Sequence, residues 1–186
     1  MAHIGEISLE LGQQGGLGAA LNHLGEKRPT GLEDFARKLG GQGNGMRLSV
    51  LTNSLGVANA LAEVPTIDSV LLGGQLRRVD GSVVGALALE NLQRFTFSLA
   101  FIGVSGFSEL GISVGSLAEA ALKADVIERA RRVVLPLDHT KVGSTDFARI
   151  AGLDAVDVVI MDRTTPAVEE LCSSYGIELI AAGGGN

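Results

Sequence analysis

Apolar residues in this chain come in short β-branched runs, and each run gives way to a polar or glycine cluster. Residues 48–51 lead into Thr52-Asn53-Ser54, and 70–72 lead into Gly73-Gly74. Residues 99–104 lead into Ser105-Gly106, and 133–137 into Asp138-His139-Thr140-Lys141. The runs at 48–51, 69–72, 99–104, 132–137 and 157–161 are nearly continuous in apolar side chains. That is the pattern of strands covered on both faces. Between them the spacing predicts helices over 54–63, 86–94, 116–131 and 166–174. The last has Thr165 as N-cap and Pro166 at the first helical position. Residues 7–11 read as a first strand and 177–180 as a last one. Such alternation predicts an α/β fold with a mostly parallel sheet flanked by helices.

The N-terminal part, residues 1–45, is less regular. It holds a glycine-rich stretch, Gly12-Gln13-Gln14-Gly15-Gly16-Leu17-Gly18, a helix opening at 19–24, and a helical piece at 32–39. Residues 46–186 carry the regular pattern, and the two parts read as one continuous domain. Residues 183–186 read as a frayed tail.

At 186 residues the chain is long enough to bury one sizeable core, and its 46% apolar and 19% charged composition excludes global disorder. The formal net charge of -6 argues against DNA binding by this surface, because phosphate neutralisation supplies much of that affinity. Cys172 is the single cysteine, which rules out an internal disulfide and a cysteine-rich zinc site. It reads as a small buried side chain. No segment is an export signal or reaches the roughly 18 apolar residues of a membrane span. The expected location is the cytoplasm, with no membrane partner, metal or cofactor.

Strand ends in an α/β sheet gather along one edge, where ligands bind. The polar clusters therefore predict one pocket for a small, polar, anionic ligand. Each cluster also has a plainer explanation. Thr52-Asn53-Ser54 at a strand-to-helix junction suits an anion, and suits simple N-capping equally. Gly73-Gly74 permits close approach of a ligand, or merely a turn. Ser116-Leu117-Ala118-Glu119 has capping-box spacing, and Glu119 with Lys123 forms an i,i+4 pair that reads as a surface pair. At the strand ends the same two residues address a sugar hydroxyl and a phosphate. Asp138 and Lys141, three apart in a loop, can address opposite ends of a hydroxylated, phosphorylated ligand. His139 is a candidate general base, or simply faces solvent. The stretch 12–18 suits a phosphate cradle or a connection, and lacks the Gly-Lys-Ser/Thr of a P-loop. Arg77, Arg78 and Arg131-Arg132 read as solvated surface charges.

Five pieces together resemble the C-terminal effector domain of the DeoR family of bacterial repressors. They are Leu51-Thr52-Asn53-Ser54; Leu71-Leu72-Gly73-Gly74 with Val84-Gly85; Ala100-Phe101-Ile102-Gly103-Val104-Ser105-Gly106; Glu119-Ala120-Ala121-Leu122-Lys123; and Asp138-His139-Thr140-Lys141-Val142-Gly143 with Phe147-Ala148-Arg149. The resemblance implies a Rossmann-like fold shared with ribose-5-phosphate isomerase. It implies a phosphorylated sugar or polyol as effector, a homo-oligomer and a DNA operator. It puts Asn53, Ser54, Gly73, Gly74, Glu119, Lys123, Asp138 and Lys141 around the ligand, with Ser105 standing where the family often has an aspartate. The family's N-terminal winged helix-turn-helix has no counterpart in this sequence. DNA is thus expected as a partner only through a domain absent from this chain. Gly12-Gln13-Gln14-Gly15-Gly16 stands in for the family's Gly-Thr-Thr type phosphate loop, without its hydroxyls.

The leading expectation is a sensor module with no catalytic residue. An aldose–ketose isomerase would use Glu119 or Asp138 as base and Lys123 or Lys141 as the cation on the enediolate. A non-catalytic assembly protein with a degenerate pocket is the third alternative.

Overall fold

The computed structural model describes residues 7–11 and 48–181. A seven-stranded sheet forms the frame, in the order β12-β11-β9-β6-β1-β2-β3. Its strands are β1 (Ile7–Leu11), β2 (Leu48–Thr52), β3 (Ile67–Leu71), β6 (Leu99–Phe101), β9 (Val133–Leu137), β11 (Val158–Met161) and β12 (Glu178–Ala181). Neighbours pair in parallel except β1, which is antiparallel to both β2 and β6. Six strands therefore run one way, and their C-terminal ends share an edge. The α/β, mostly parallel expectation holds.

The helices are α1 (Leu55–Leu61), α2 (Ala86–Leu92), α3 (Leu117–Arg129) and α4 (Pro166–Ser174). Ser54 and Thr165 cap α1 and α4, their hydroxyls accepting from the amides of Val57 and Val168. Each such cap is worth about 1 kcal/mol. The α4 bounds agree with the sequence expectation, because a cap and a proline both fix its start.

β9 and β11 are buried almost throughout, as strands covered on both faces must be. β3 departs from that expectation. It is an edge strand, buried only at Ile67, and leaves Val70 and Leu71 exposed. The run at 99–104 also ends sooner than expected. Its regular pairing stops at Phe101, and the chain turns away through Gly103 after the Ile102 amide bonds to Val134.

Two small sheets escape the alternation pattern. A hairpin joins β4 (Gln75–Leu76) to β5 (Val83–Val84). A three-stranded sheet, order β10-β8-β7, is built from β7 (Gly106–Ser108), β8 (Gly111–Val114) and β10 (Ala148–Ala151). Here glycine is needed for close approach. A Cβ on Gly111 would lie 2.2 Å from the Ala151 carbonyl oxygen, and one on Gly106 would lie 2.6 Å from that of Ser144.

One apolar cluster joins the frame, the hairpin and the helices through residues such as Leu51, Val84, Leu92, Ile102, Phe107, Leu122, Leu135 and Val159. Cys172 belongs to it, as expected, and burial pushes its thiol pKa up. No helix among the described residues is long and apolar enough to cross a membrane. The glycine-rich stretch 12–18, the helical pieces at 19–24 and 32–39 and the tail 183–186 lie outside the described residues. The last residue of β1, Leu11, pairs with Leu48 at the start of β2. The chain thus leaves β1 at the edge opposite the strand ends.

Candidate functional site

The shared C-terminal edge gathers the predicted clusters. β2 ends at Thr52, with Asn53 and Ser54 beyond it, all three buried. Their polar atoms are largely spoken for. Asn53 Nδ2 donates to the Val83 carbonyl at 3.2 Å, and the Val83 amide donates back to Asn53 O at 2.7 Å. Thr52 Oγ1 accepts from the Ser54 amide at 3.1 Å, and Ser54 Oγ accepts from Val57. The plainer explanation, capping and anchoring, therefore accounts for these contacts.

Gly73 and Gly74 follow β3 on the surface. Gly74 has φ +155, and a Cβ there would lie 2.9 Å from both Val83 Cγ1 and the Val84 carbonyl oxygen. The hairpin packs against this backbone, so the position needs glycine whether or not a ligand approaches.

Glu119 and Lys123 differ from their surface-pair expectation. Lys123 is 2% exposed. Its ammonium donates to Glu119 Oε1 at 2.7 Å and to the Gly103 carbonyl at 2.5 Å. Glu119 Oε2 takes Arg77 Nη1 at 2.5 Å, from the β4–β5 hairpin 42 residues away in sequence. Burial pushes the Glu119 carboxyl up, but Lys123 and then Arg77 outweigh it and hold its pKa below the ordinary 4.5. Arg77, expected to be solvated, is thus half of a bridge between hairpin and helix, with Asp80 Oδ2 3.6 Å from the same Nη1. The capping box does not form. Ser116 occupies the N-cap position without a side-chain hydrogen bond, because Glu119 is drawn to the two cations. Arg132 likewise pairs with Glu178 rather than standing alone.

Asp138 and Lys141 flank a 3-10 turn, His139–Lys141, just after β9. Positions three apart eclipse in such a turn. Asp138 Oδ1 accepts from the Thr140 amide at 2.7 Å, and that bond holds its carboxyl pKa below the usual 3.8. Its side chain is 60% exposed. Among the described residues the Lys141 ammonium has no hydrogen bond or ion pair. His139 Nδ1 lies 2.9 Å from Asp162 Oδ2, and its amide donates to Asp162 Oδ1. Asp138, His139 and Asp162 bring ligand atoms within 4.8 Å of one another. Asp162 meets both the amide and the ring of His139 and so tethers the turn.

Ser105 sits where the chain leaves β6 for β7. Its hydroxyl donates to Asp146 Oδ2 at 2.7 Å. Sequence reasoning missed Asp146. The signal was its place five residues beyond Lys141, in Gly143-Ser144-Thr145-Asp146, a continuation of the cluster already singled out.

Among the described residues the edge thus holds a half-buried Lys141 ammonium without a hydrogen bond or ion pair, an exposed Asp138 carboxylate in the same turn, and surface glycines. An α/β domain with polar groups gathered at its strand ends is the class of protein that the fold defines. The comparisons with known proteins identify which kind. The model of the DeoR C terminal sensor domain matches residues 30–163, and the chain belongs to that family. It is 32% identical over 179 residues to the HTH-type transcriptional repressor GlcR of Bacillus subtilis, covering 94% of this chain and 68% of that protein. It is 32% identical over 142 residues to the glycerol-3-phosphate regulon repressor of Escherichia coli, 73% of this chain and 55% of that protein. It is 34% identical over 147 residues to the lactose phosphotransferase system repressor of Lactococcus lactis, 78% of this chain and 57% of that protein. The chain spans between about half and two-thirds of the length of these curated relatives. The isomerase alternative falls away, because family and relatives are transcriptional regulators and not enzymes.

Proposed function

We propose that this sensor domain binds a phosphorylated sugar or polyol across the C-terminal ends of β2, β3, β6 and β9. Occupancy then alters operator binding by the repressor it serves. The observation that carries this reading is Lys141, an ammonium without a protein partner among the described residues, one 3-10 turn from the exposed Asp138. A phosphate meets the first and sugar hydroxyls meet the second. Ser105, Gly73, Gly74 and Ser54 line the same edge. Asn53, Glu119 and Lys123 hold its walls through their protein contacts. Two relatives support the ligand class by name, one governing a glycerol-3-phosphate regulon and one a lactose phosphotransferase system.

With a net charge of -6, this domain leaves operator contact to a helix-turn-helix segment, and it works as a homo-oligomer. A ligand moves that assembly only through different affinities for its two arrangements. The test is a thermal-shift screen against phosphorylated sugars and polyols beside their unphosphorylated parents. A ligand at 100 times its dissociation constant adds about 2.7 kcal/mol of stability. The expected result is a shift for one phosphorylated compound and none for its parent. Flat curves throughout contradict the reading.

A further inference from the structure

Asp146 lies between the 3-10 turn and β10, and neighbouring segments fix it from several sides. Its amide donates to Ser113 Oγ at 2.8 Å, on β8. Its Oδ1 accepts from the Phe147 amide at 2.7 Å, and its Oδ2 accepts from Ser105 Oγ at 2.7 Å. A Cβ on Gly115, just before α3, would stand 3.3 Å from Oδ2. The carboxylate therefore sits where the end of β6, the start of α3 and the exit of the Lys141 turn converge. A carboxylate has about four acceptor positions, and protein donors fill two of these among the described residues. The residue is nevertheless exposed. Charge reinforces the placement: the Ser105 hydroxyl, then the Phe147 amide and the nearby Lys141 charge, hold its pKa below 3.8.

We propose that Asp146 is a further ligand-contacting residue of this site, its open acceptor positions taking hydroxyl hydrogen bonds while Lys141 holds the phosphate. Ser105 is then a positioning residue, aiming the carboxylate from below. The assignment rests on the phosphorylated-effector reading and deepens it, because it makes the hydroxyl pattern, and not the phosphate, the quantity Asp146 reads. A purely structural clamp would use the same bonds but leave binding selectivity untouched.

The experiment is calorimetric titration of the wild-type chain, Asp146→Asn and Ser105→Ala. The probes are the hexose phosphates and glycerol 3-phosphate, with inorganic phosphate as competitor. Asp146→Asn keeps the size of the side chain and one acceptor, so folding is preserved and checked by the melting curve. The expected result is a loss of about tenfold or more in affinity for the phosphorylated sugar or polyol, with inorganic phosphate unchanged. Ser105→Ala shows a smaller loss of the same selectivity. An Asp146→Asn variant that binds the sugar phosphate within about twofold of wild type overturns the assignment alone. So does one that weakens sugar phosphate and inorganic phosphate equally. A wild-type chain that binds none of the phosphorylated compounds overturns the effector reading and this assignment with it.

Discussion

Glu119 with Lys123 and Asp138 with Lys141 are the same pair of chemical groups, a carboxylate and an ammonium one helical turn apart. They have opposite fates. The side chain of Lys123 is 3% exposed and bonded to both a carboxylate and a carbonyl. That of Asp138 is 60% exposed, and among the described residues its side-chain hydrogen bond caps its own turn. A buried ammonium must have its partners inside the protein, or the desolvation cost unfolds the region. A half-buried one without an ion pair, such as Lys141 among the described residues, can exchange water for a ligand phosphate. On the proposed reading, burial makes one pair a wall of the site and leaves the other to meet the ligand. The wall also has reach, since Arg77 ties the β4–β5 hairpin to α3 through the same Glu119 carboxylate.

Lys123→Ala breaks this contrast most sharply. It leaves the Gly103 carbonyl and half of the Glu119 carboxylate without their cation. The expected loss is about 3 kcal/mol in urea denaturation. A loss under about 0.5 kcal/mol, the surface range, would mean that the pair is no wall at all.

Acid sharpens the contrast. The folded-state pKa of Glu119 lies below its ordinary 4.5, so the ionised carboxylate stabilises the fold. That contribution is complete above pH 4.5 and fades as pH falls through the lower folded-state value. The urea midpoint of the wild-type chain should decline in that window. Glu119→Gln should start lower at neutral pH and decline less steeply. Parallel slopes for the two proteins would remove Glu119 from the acid response.

The smallest effect belongs to the pair that follows β9. Lys141→Ala should change the unfolding free energy in urea by no more than about 0.5 kcal/mol, since its ammonium has no hydrogen bond or ion pair among the described residues. A larger loss would place Lys141 in the wall beside Lys123.

How much of this was legible follows from the range of each interaction. β2, β9 and β11 show as apolar runs because both faces are covered, and α4 shows because Thr165 and Pro166 mark its start locally. β4, β5, β7 and β8 are two to four residues long, and β7 and β8 begin at glycines that close backbone approach requires. Such strands carry too few side chains to show a period. Arg77 looked solvated because its partner lies 42 residues away, across the fold. The Glu119–Lys123 spacing was visible, but spacing is silent on depth, and only the packing of α3 against its neighbours decides it. Ser105 was visible as a strand end. Its link to Asp146 spans 41 residues and forms only when the three-stranded sheet closes.

The most direct test of the account is calorimetric titration of wild type and Lys141→Ala with the phosphorylated compound that raises the melting temperature. The account predicts that Lys141→Ala abolishes measurable binding while its unfolding curve overlays that of wild type. Unchanged affinity in Lys141→Ala would contradict it, because the phosphate would then be held by some other group.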